Sequence, residues 1–555
     1  MINPEGRMDT RWKVVFSFGL ACALVWGQAA STSQINGVVR DSSGLAVSGA
    51  QVKATQTATG LVRTAITGND GAYVLTNLPI GPYTLEVDRD GFSRYVQSGI
   101  VLQVNSNPTI DVPLKVGAVN EQVTVEANSA MVETHSTGVG TVVDNQRVVE
   151  LPLNGRNATE LILLAGSSTS GTGAAAGQAL INPRTYPTIS ISVAGGTGIG
   201  VTYQLDGAYY NDIFNGLNFP LPFPDALQEF KLETSALPAQ YGFHSNATVN
   251  AVTKAGTNQW HGDLFEFLRN GDLNARDFFG ISRDTLKRNQ WGGTLGGPVR
   301  KDKLFFFAGF QGTVQKSSPP QTIAYVPTSA MLRGDFTAIA SPACNNGRQI
   351  NLPASLGFVN NQIAPSRFDP AALKIDARLP TTADPCGQTT FGLLSNLNEN
   401  LGVARVDYQK SARHSMFGRI VVADLYVPST YDGKNALTVS TNAAYYRGYL
   451  VALGDTLTFG SGLVSSFRLG ANRMVITKPT DDFATERSGS GRQRPGGEKR
   501  ARYSIRERFS DRVQRFSEPG NPGTQPQRFR GYQLGERRAS SRIRPELSSY
   551  PHDLP

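Results

Sequence analysis

Cysteine is nearly absent, with three in 555 residues, so a disulfide-stapled scaffold is excluded. Histidine is scarce too. His135, His244, His261, His414 and His552 show no paired spacing with one another or with cysteine, so no metal ligand set is expected. No HExxH, CxxC or nucleophile-elbow pattern occurs, and acid pairs such as Asp481-Asp482 sit in turn-like sequence. Neither an enzyme nor a bound cofactor is therefore expected. Charged residues make up only 17%, which excludes a coiled coil, a helical bundle and an acidic solvating chain. No run of 18 apolar residues occurs, so no helical membrane anchor is expected.

What is abundant points to strands and turns. The chain holds 58 Gly, 31 Pro, 18 Tyr and 27 Phe among many Ser, Thr and Asn, a composition that favours mainly β structure. Its length exceeds one ordinary core, so three or more units are expected. The net charge of +9 is localised: residues 485–555 carry 15 Arg and one Lys against eight acids, whereas the first 484 residues carry 37 basic and 36 acidic side chains. The body is neutral, and no nucleic-acid partner is expected.

Both ends have distinct chemistry. Arg7, Arg11 and Lys13 precede an apolar stretch from Val14 to Trp26, followed by Gly27-Gln28-Ala29-Ala30. Thirteen residues fall short of the ~20 a spanning helix needs, so residues 1–30 read as a secretory signal peptide, with Met8 as a second possible start. Cys22 lies within it. Cys344 and Cys386 then fit either a loop disulfide or two free thiols. At the other end, 485–555 holds nine Val, Ile, Leu or Phe in 71 residues, too few to offset ordering entropy. A disordered basic low-complexity tail is one reading, and a shifted reading frame after residue 484 is the other.

Residues 34–118 read as a sandwich of about seven strands. Tyr83, Leu85 and Val87 alternate with Thr84, Glu86 and Asp88; Ile110, Val112, Leu114 and Val116 alternate with polar neighbours. One face of each strand then meets a core. Turn residues punctuate the run at Asp41-Ser-Ser-Gly44, Gly68-Asn-Asp-Gly71, Pro79-Ile-Gly-Pro82 and Asp90-Gly91. In order, Gly37-Val-Val-Arg-Asp41, Val47-Ser-Gly-Ala-Gln-Val52, Asp70-Gly-Ala-Tyr73 and Leu78-Pro-Ile-Gly-Pro-Tyr-Thr-Leu85 resemble carboxypeptidase regulatory-like domains. That family has a prealbumin-like β-sandwich and is not itself a peptidase. The resemblance implies a spacer or docking module, or a carbohydrate-binding one, although the stretch has no Trp.

The linker 119–128 contains Asn120-Glu-Gln-Val-Thr-Val-Glu-Ala127, an extended segment suited to strand addition at a partner's sheet edge. It resembles a TonB box, the segment through which outer-membrane receptors engage TonB. The matching residues are Glu121, Val123, Thr124, Val125 and Ala127. A plain linker strand is the alternative.

From 129 to 255 small residues dominate. Gly171-Thr-Gly-Ala-Ala-Ala-Gly177 and Ala194-Gly-Gly-Thr-Gly-Ile-Gly200 lack the surroundings of a phosphate cradle and read as loops. A helix is expected over Asn157–Leu164. Glu150-Leu-Pro-Leu-Asn-Gly-Arg-Asn157, Tyr203-Gln-Leu-Asp-Gly207, Pro224-Asp-Ala-Leu-Gln-Glu-Phe-Lys231, Tyr241-Gly242 and Val249-Asn-Ala-Val-Thr-Lys-Ala-Gly-Thr-Asn258 resemble, in order, the α+β plug domain of TonB-dependent receptors of the Oar-like, acidobacterial type. Gly207 after Asp206 reads as a hairpin turn.

Residues 256–484 repeat hairpins of about ten-residue strands, the length of a tilted membrane strand. Gly402, Ala404, Val406 and Tyr408 alternate with Val403, Arg405, Asp407 and Gln409. A face carrying Arg405 and Asp407 is incompatible with hydrocarbon and should line the lumen. Met416, Gly418, Ile420 and Val422 then return opposite Arg419. Phe265 and Phe267, Phe278 and Phe279, Phe305 to Phe307, and Tyr445 and Tyr446 are expected in interfacial girdles, as is His261. Residues 313–398, rich in Pro, Asn and Ser, are expected to form a long extracellular loop. Arg288-Asn-Gln-Trp-Gly-Gly-Thr-Leu-Gly-Gly-Pro298 with Lys301-Asp-Lys-Leu-Phe-Phe-Phe307 resembles the first hairpins of an Oar-like barrel. Seven or eight strands are legible where transporters of this class close with ~22, so a partial transmembrane antiparallel β-barrel and an incomplete chain are expected.

The resemblance implies a receptor or transporter in the outer membrane of a Gram-negative bacterium. Its expected partners are the TonB energy-transducing complex, membrane lipid and an unidentified small solute or oligosaccharide. The alternative is an exported carbohydrate-binding sandwich without transport. The ligand-binding residues and the direction of transport are not legible.

Overall fold

Period-two alternation becomes strands throughout. The computed structural model describes residues 32–117, 122–126, 139–170, 186–213, 216–235, 246–276, 283–318, 322–439, 443–459, 463–478 and 533–534, with the single positions 237, 244 and 278. The signal segment, Gly171 to Gly177, Tyr241-Gly242 and Phe279 lie outside the described residues.

The first unit is a two-sheet sandwich. Its strands are β1 (Thr32–Asp41), β2 (Gln51–Gln56), β3 (Val62–Ile66), β4 (Ala72–Pro79), β5 (Gly81–Asp88), β6 (Arg94–Leu102), β7 (Val112–Leu114) and β8 (Gln122–Glu126). One sheet runs β4-β1-β7 and the other β3-β2-β5-β6-β8. The inward members of each alternation, among them Ile35, Val52, Leu75, Leu85, Val87 and Ile100, are fully buried between the sheets. Asp41 Oδ1 accepts from the N–H groups of Ser43 and Leu45, closing the first expected turn. Val116 departs from expectation and is exposed, because β7 ends at Leu114.

The second unit, at the place where the plug is expected, is a sheet ordered β13-β12-β15-β14-β9. It is built from β9 (Val139–Asp144), β12 (Val201–Leu205), β13 (Ala208–Tyr209), β14 (Leu227–Ser235) and β15 (Ala247–Thr253), with β10 (Ser168–Ser170) and β11 (Ile191–Val193) paired separately. Helix α1 (Asn145–Glu150) follows β9, and the Asp144 side chain caps it by accepting from Arg147 N–H at 3.0 Å. The helix expected over Asn157–Leu164 is a 3₁₀ segment, Ala158–Leu164, capped by Asn157. Short helical segments tighten in this way.

The third unit is an antiparallel wall ordered β16-β17-β18-β21-β22-β23-β24-β25. Its strands are β16 (His261–Asn270), β17 (Lys287–Arg300), β18 (Leu304–Lys316), β21 (Leu397–Ser411), β22 (His414–Val427), β23 (Ala444–Phe459), β24 (Leu463–Thr477) and the two-residue β25 (Gln533–Leu534). A small hairpin of β19 (Thr322–Tyr325) and β20 (Gln388–Phe391) sits in the long loop after β18. The disulfide Cys344–Cys386 staples that loop, with Cα atoms 5.4 Å apart. Of the basic tail, only β25 is described, paired to Ala471 and Asn472.

The two faces of the wall differ in chemistry. Leu401, Val403, Val421, Ala423 and Leu450 point inward and are buried in one core with the plug residues Tyr203, Phe230 and Val249, and Ala452 is buried in the same phase. On the outer face, Leu264, Leu295, Val299, Val406, Leu453 and Phe467 are 47–92% exposed. Such an apolar expanse suits hydrocarbon rather than water.

The aromatic residues correct the girdle expectation. Phe305, Phe307 and Tyr446 are buried against the plug, and Phe265 packs on the same core. Phe306, Tyr445 and Trp260 keep the outward phase: Tyr445 stacks on Tyr426 at 4.1 Å, and Trp260 meets Phe306 edge-on at 5.5 Å. The backbone at Gly297 is closely approached, since a Cβ there would lie 2.8 Å from the Trp260 ring.

Candidate functional site

The plug is fastened to the wall by a buried charge network. Asp206 and Gly207 form the two-residue turn between β12 and β13, both with positive φ, 54° and 77°. That geometry is a hairpin turn of the Asp-Gly kind, as expected from sequence, and it aims the Asp206 carboxylate at the wall. Asp206 Oδ1 accepts from Arg405 Nη1 at 2.8 Å, and Oδ2 accepts from Arg419 Nε at 3.0 Å. Thr253 adds its N–H and hydroxyl at 2.9 and 3.0 Å. Arg405 also donates to Asp407 at 2.9 Å, and Arg419 donates to the carbonyls of Leu205 and Leu450 at 3.1 Å. Two carboxylates thus balance two guanidiniums in a dry place, the condition under which buried charge is tolerated. The lumenal phase of Arg405 and Asp407 was legible in the alternation; Asp206 as their partner was not.

A second buried pair holds the plug's other side. Arg156 pairs with Asp225, its Nε donates to Gln311 Oε1 of the wall at 3.0 Å, and its guanidinium lies 4.4 and 4.2 Å from the ring centres of Phe265 and Phe267. Burial pushes the Asp225 carboxyl up, with Arg156 opposing it. Beside this pair is a cavity of about 190 Å³ whose lining includes Asn154, Arg156, Tyr186, Arg288, Gln311 and Glu399. Arg288 and Glu399 stand near the starts of β17 and β21, the end of the wall that carries the long loops. Arginines and glutamates are equal in number in this lining, so the cavity offers hydrogen bonds without excess charge.

The opposite end of the wall has short turns, at 301–303 and 412–413, and there the sandwich sits. Ala58 O accepts from Asn258 N–H at 2.9 Å, Asn258 is tied to Asp302 at 2.7 Å, and Arg63 Nη1 donates to Ala412 O. Short turns on one side and long loops on the other match the periplasmic and outer ends of an outer-membrane barrel.

The sandwich also meets the plug. Glu229 Oε1 accepts from Val104 N–H at 2.7 Å, and Lys231 Nζ donates to the carbonyls of Val104 and Asn105 at 3.2 and 3.4 Å. Burial pushes the Glu229 carboxyl up to about 7; the Val104 hydrogen bond and Lys231 pull the other way, and Asp144 adds to the rise. Sequence reasoning passed over this contact. The available signal was the charged residues at 229, 231 and 233 alternating with Phe230 and Leu232.

The TonB-box-like segment is already an edge strand. β8 pairs in parallel with β6, Tyr95 opposite Val123, Val96 opposite Thr124 and Gln97 opposite Val125. Val123 is half-buried, while Thr124 and Val125 are exposed; Glu121 and Ala127 lie outside the described residues. The strand addition expected with a partner is made here within the chain. The sandwich's three tyrosines form no sugar platform: Tyr73, Tyr83 and Tyr95 are at most 5% exposed, and the Tyr73 and Tyr83 hydroxyls are bonded to Ile110 O and Pro79 O. Among the described residues no group of three or more His, Cys, Asp or Glu is placed to hold a metal.

Known proteins share these parts. Residues 252–537 match the family described as Outer membrane beta barrel domain, and residues 34–115 match the Carboxypeptidase regulatory-like domain. The barrel match runs past residue 484, where alternation stops being legible. The TonB-dependent transporter Oar of Myxococcus xanthus is 27% identical over 317 residues, which is 55% of this chain and 29% of that protein. The siderophore receptor PirA of Acinetobacter baumannii matches 61% of this chain and 40% of its own, at 12% identity and a TM-score of 0.35. The outer membrane transporter YddB of Escherichia coli matches 61% and 39%, at 12% identity and 0.37. The chain spans less than a third of the length of its curated relative.

Proposed function

This chain belongs to the outer-membrane β-barrel family, and on that premise we propose that it acts as a TonB-dependent receptor admitting or releasing a polar solute. Its location is the outer membrane of a Gram-negative bacterium. The observation that carries the reading is the plug sheet fastened inside a lipid-facing wall through Asp206, Arg405 and Arg419. A bore filled in this way passes nothing until work is done on the plug, which calls for an external source of energy.

Residues 121–127 are where that work would enter. The segment lies between sandwich and plug, and Thr124 and Val125 are exposed. TonB would add its own strand there and draw on it, using the inner-membrane proton gradient. The solute would first contact the loop-side cavity beside Arg156 and Arg288, whose balanced charge suits a neutral, hydrogen-bonding molecule such as a small oligosaccharide.

Pull-down of the detergent-solubilised protein by a TonB C-terminal domain tests this. Retention is expected for the native chain and loss for Val123→Pro, which removes a ladder donor and distorts the strand. Equal retention of both would refute the assignment of the box.

A further inference from the structure

The sandwich touches both moving parts of the molecule. On the wall side it holds the short turns through Ala58 and Asn258, and through Arg63 and Ala412. On the plug side its Val104–Asn105 turn, which follows β6 directly, is gripped by Glu229 and Lys231 of β14. Strand β14 has neighbours on both sides, β15 and β9, so a grip on it holds an interior strand of the sheet.

We propose that the sandwich is a removable brace, which locks plug to wall at the periplasmic face until a pull on its own edge strand lifts it away. The mechanical role of β8 rests on reading residues 121–127 as the pulled segment; the bracing contacts stand without it. Tension applied there divides between two branches. One runs forward through 127–138 into β9. The other runs back into the sandwich, where β8 lies along β6 in five register pairs. Load along parallel strands is borne by all five pairs together, and β6 leads straight into the turn held by β14.

The contact is built to part. Arg63 is 5% exposed, yet its Nε and Nη2 have no hydrogen-bond partner, and burial lowers its pKa. Water reaching the Arg63 guanidinium on undocking would satisfy it, which offsets part of the cost of separation.

Force spectroscopy on the full chain in lipid nanodiscs, with the handle attached at Glu121→Cys, tests the brace. The expected first force peak is undocking of the sandwich, before β9 leaves the sheet. That peak should vanish when Arg63→Met is combined with Lys231→Met, and persist in Glu229→Gln, which keeps an acceptor for Val104. Extraction of β9 as the first event in the otherwise unaltered chain would overturn the proposal, as would an unchanged first peak in the double variant. If the peak behaves as expected while a TonB C-terminal domain fails to bind, the brace stands and the box reading falls.

Discussion

Asp206 and Arg419 lie 213 residues apart in the chain and meet at 3.0 Å, each side chain 1% exposed. Arg405 shares the same carboxylate, so one plug residue neutralises charge drawn from two wall strands. Asp206→Asn keeps the turn but removes that charge. It should cost about 3–5 kcal/mol, the usual result of stranding a buried partner. Adding Arg419→Met should recover part of the loss, so a double-mutant cycle from urea unfolding in detergent is expected to give clear coupling. Simple additivity would mean the pair does not fasten plug to wall.

The outer face predicts where a charge is not tolerated. Leu453 is 48% exposed and its neighbour Ala452 is 1% exposed, so lipid and lumen alternate at adjacent positions. Leu453→Arg should reduce the heat-modifiable folded fraction, at about 2–4 kcal/mol for a basic residue near the bilayer midplane. Leu453→Phe should leave it unchanged.

Glu229 gives the sandwich–plug contact a pH dependence of definite sign. Its carboxyl is raised from 4.5 to about 7 when docked, so the docked state holds a proton that the open state releases more readily. That contribution to docking is complete below the open-state value and is lost as pH rises through about 7. Protease protection of the segment joining sandwich and plug should therefore weaken as pH rises from 4.5 to about 7. Glu229→Gln should flatten the profile. A wild-type profile that tightens with rising pH would contradict the burial of this group.

The disulfide Cys344–Cys386 closes a separation of 42 residues in the long loop. Cys344→Ser should expose residues 317–396 to limited proteolysis while leaving the heat-modifiable species intact. Loss of that species would show that the loop supports the wall.

Much of this was legible because it is local. The alternation of Arg405 with Ala404 gave the phase of its strand, and Asp206-Gly207 gave its turn. The partners were not legible, since nothing near Glu229 in sequence points to Val104, 125 residues away. The parallel pairing of β8 with β6 likewise has no local signal, because strand addition depends on a free edge rather than on a motif. The girdle expectation failed at Phe305, Phe307 and Tyr446 for another reason. A wall whose inner face packs on a plug has apolar residues on both sides, so Phe305 and Phe307 satisfy a buried core as well as a membrane boundary.

The contact between Arg63 and Ala412 spans 349 residues. Its two ends become neighbours only after the hairpin of β21 and β22 has been laid down, long after the sandwich itself has condensed from local pairings. Closure over such a distance carries a large entropy cost and comes late in folding. The seating of the sandwich on this turn is therefore expected to follow the sandwich's own local pairings.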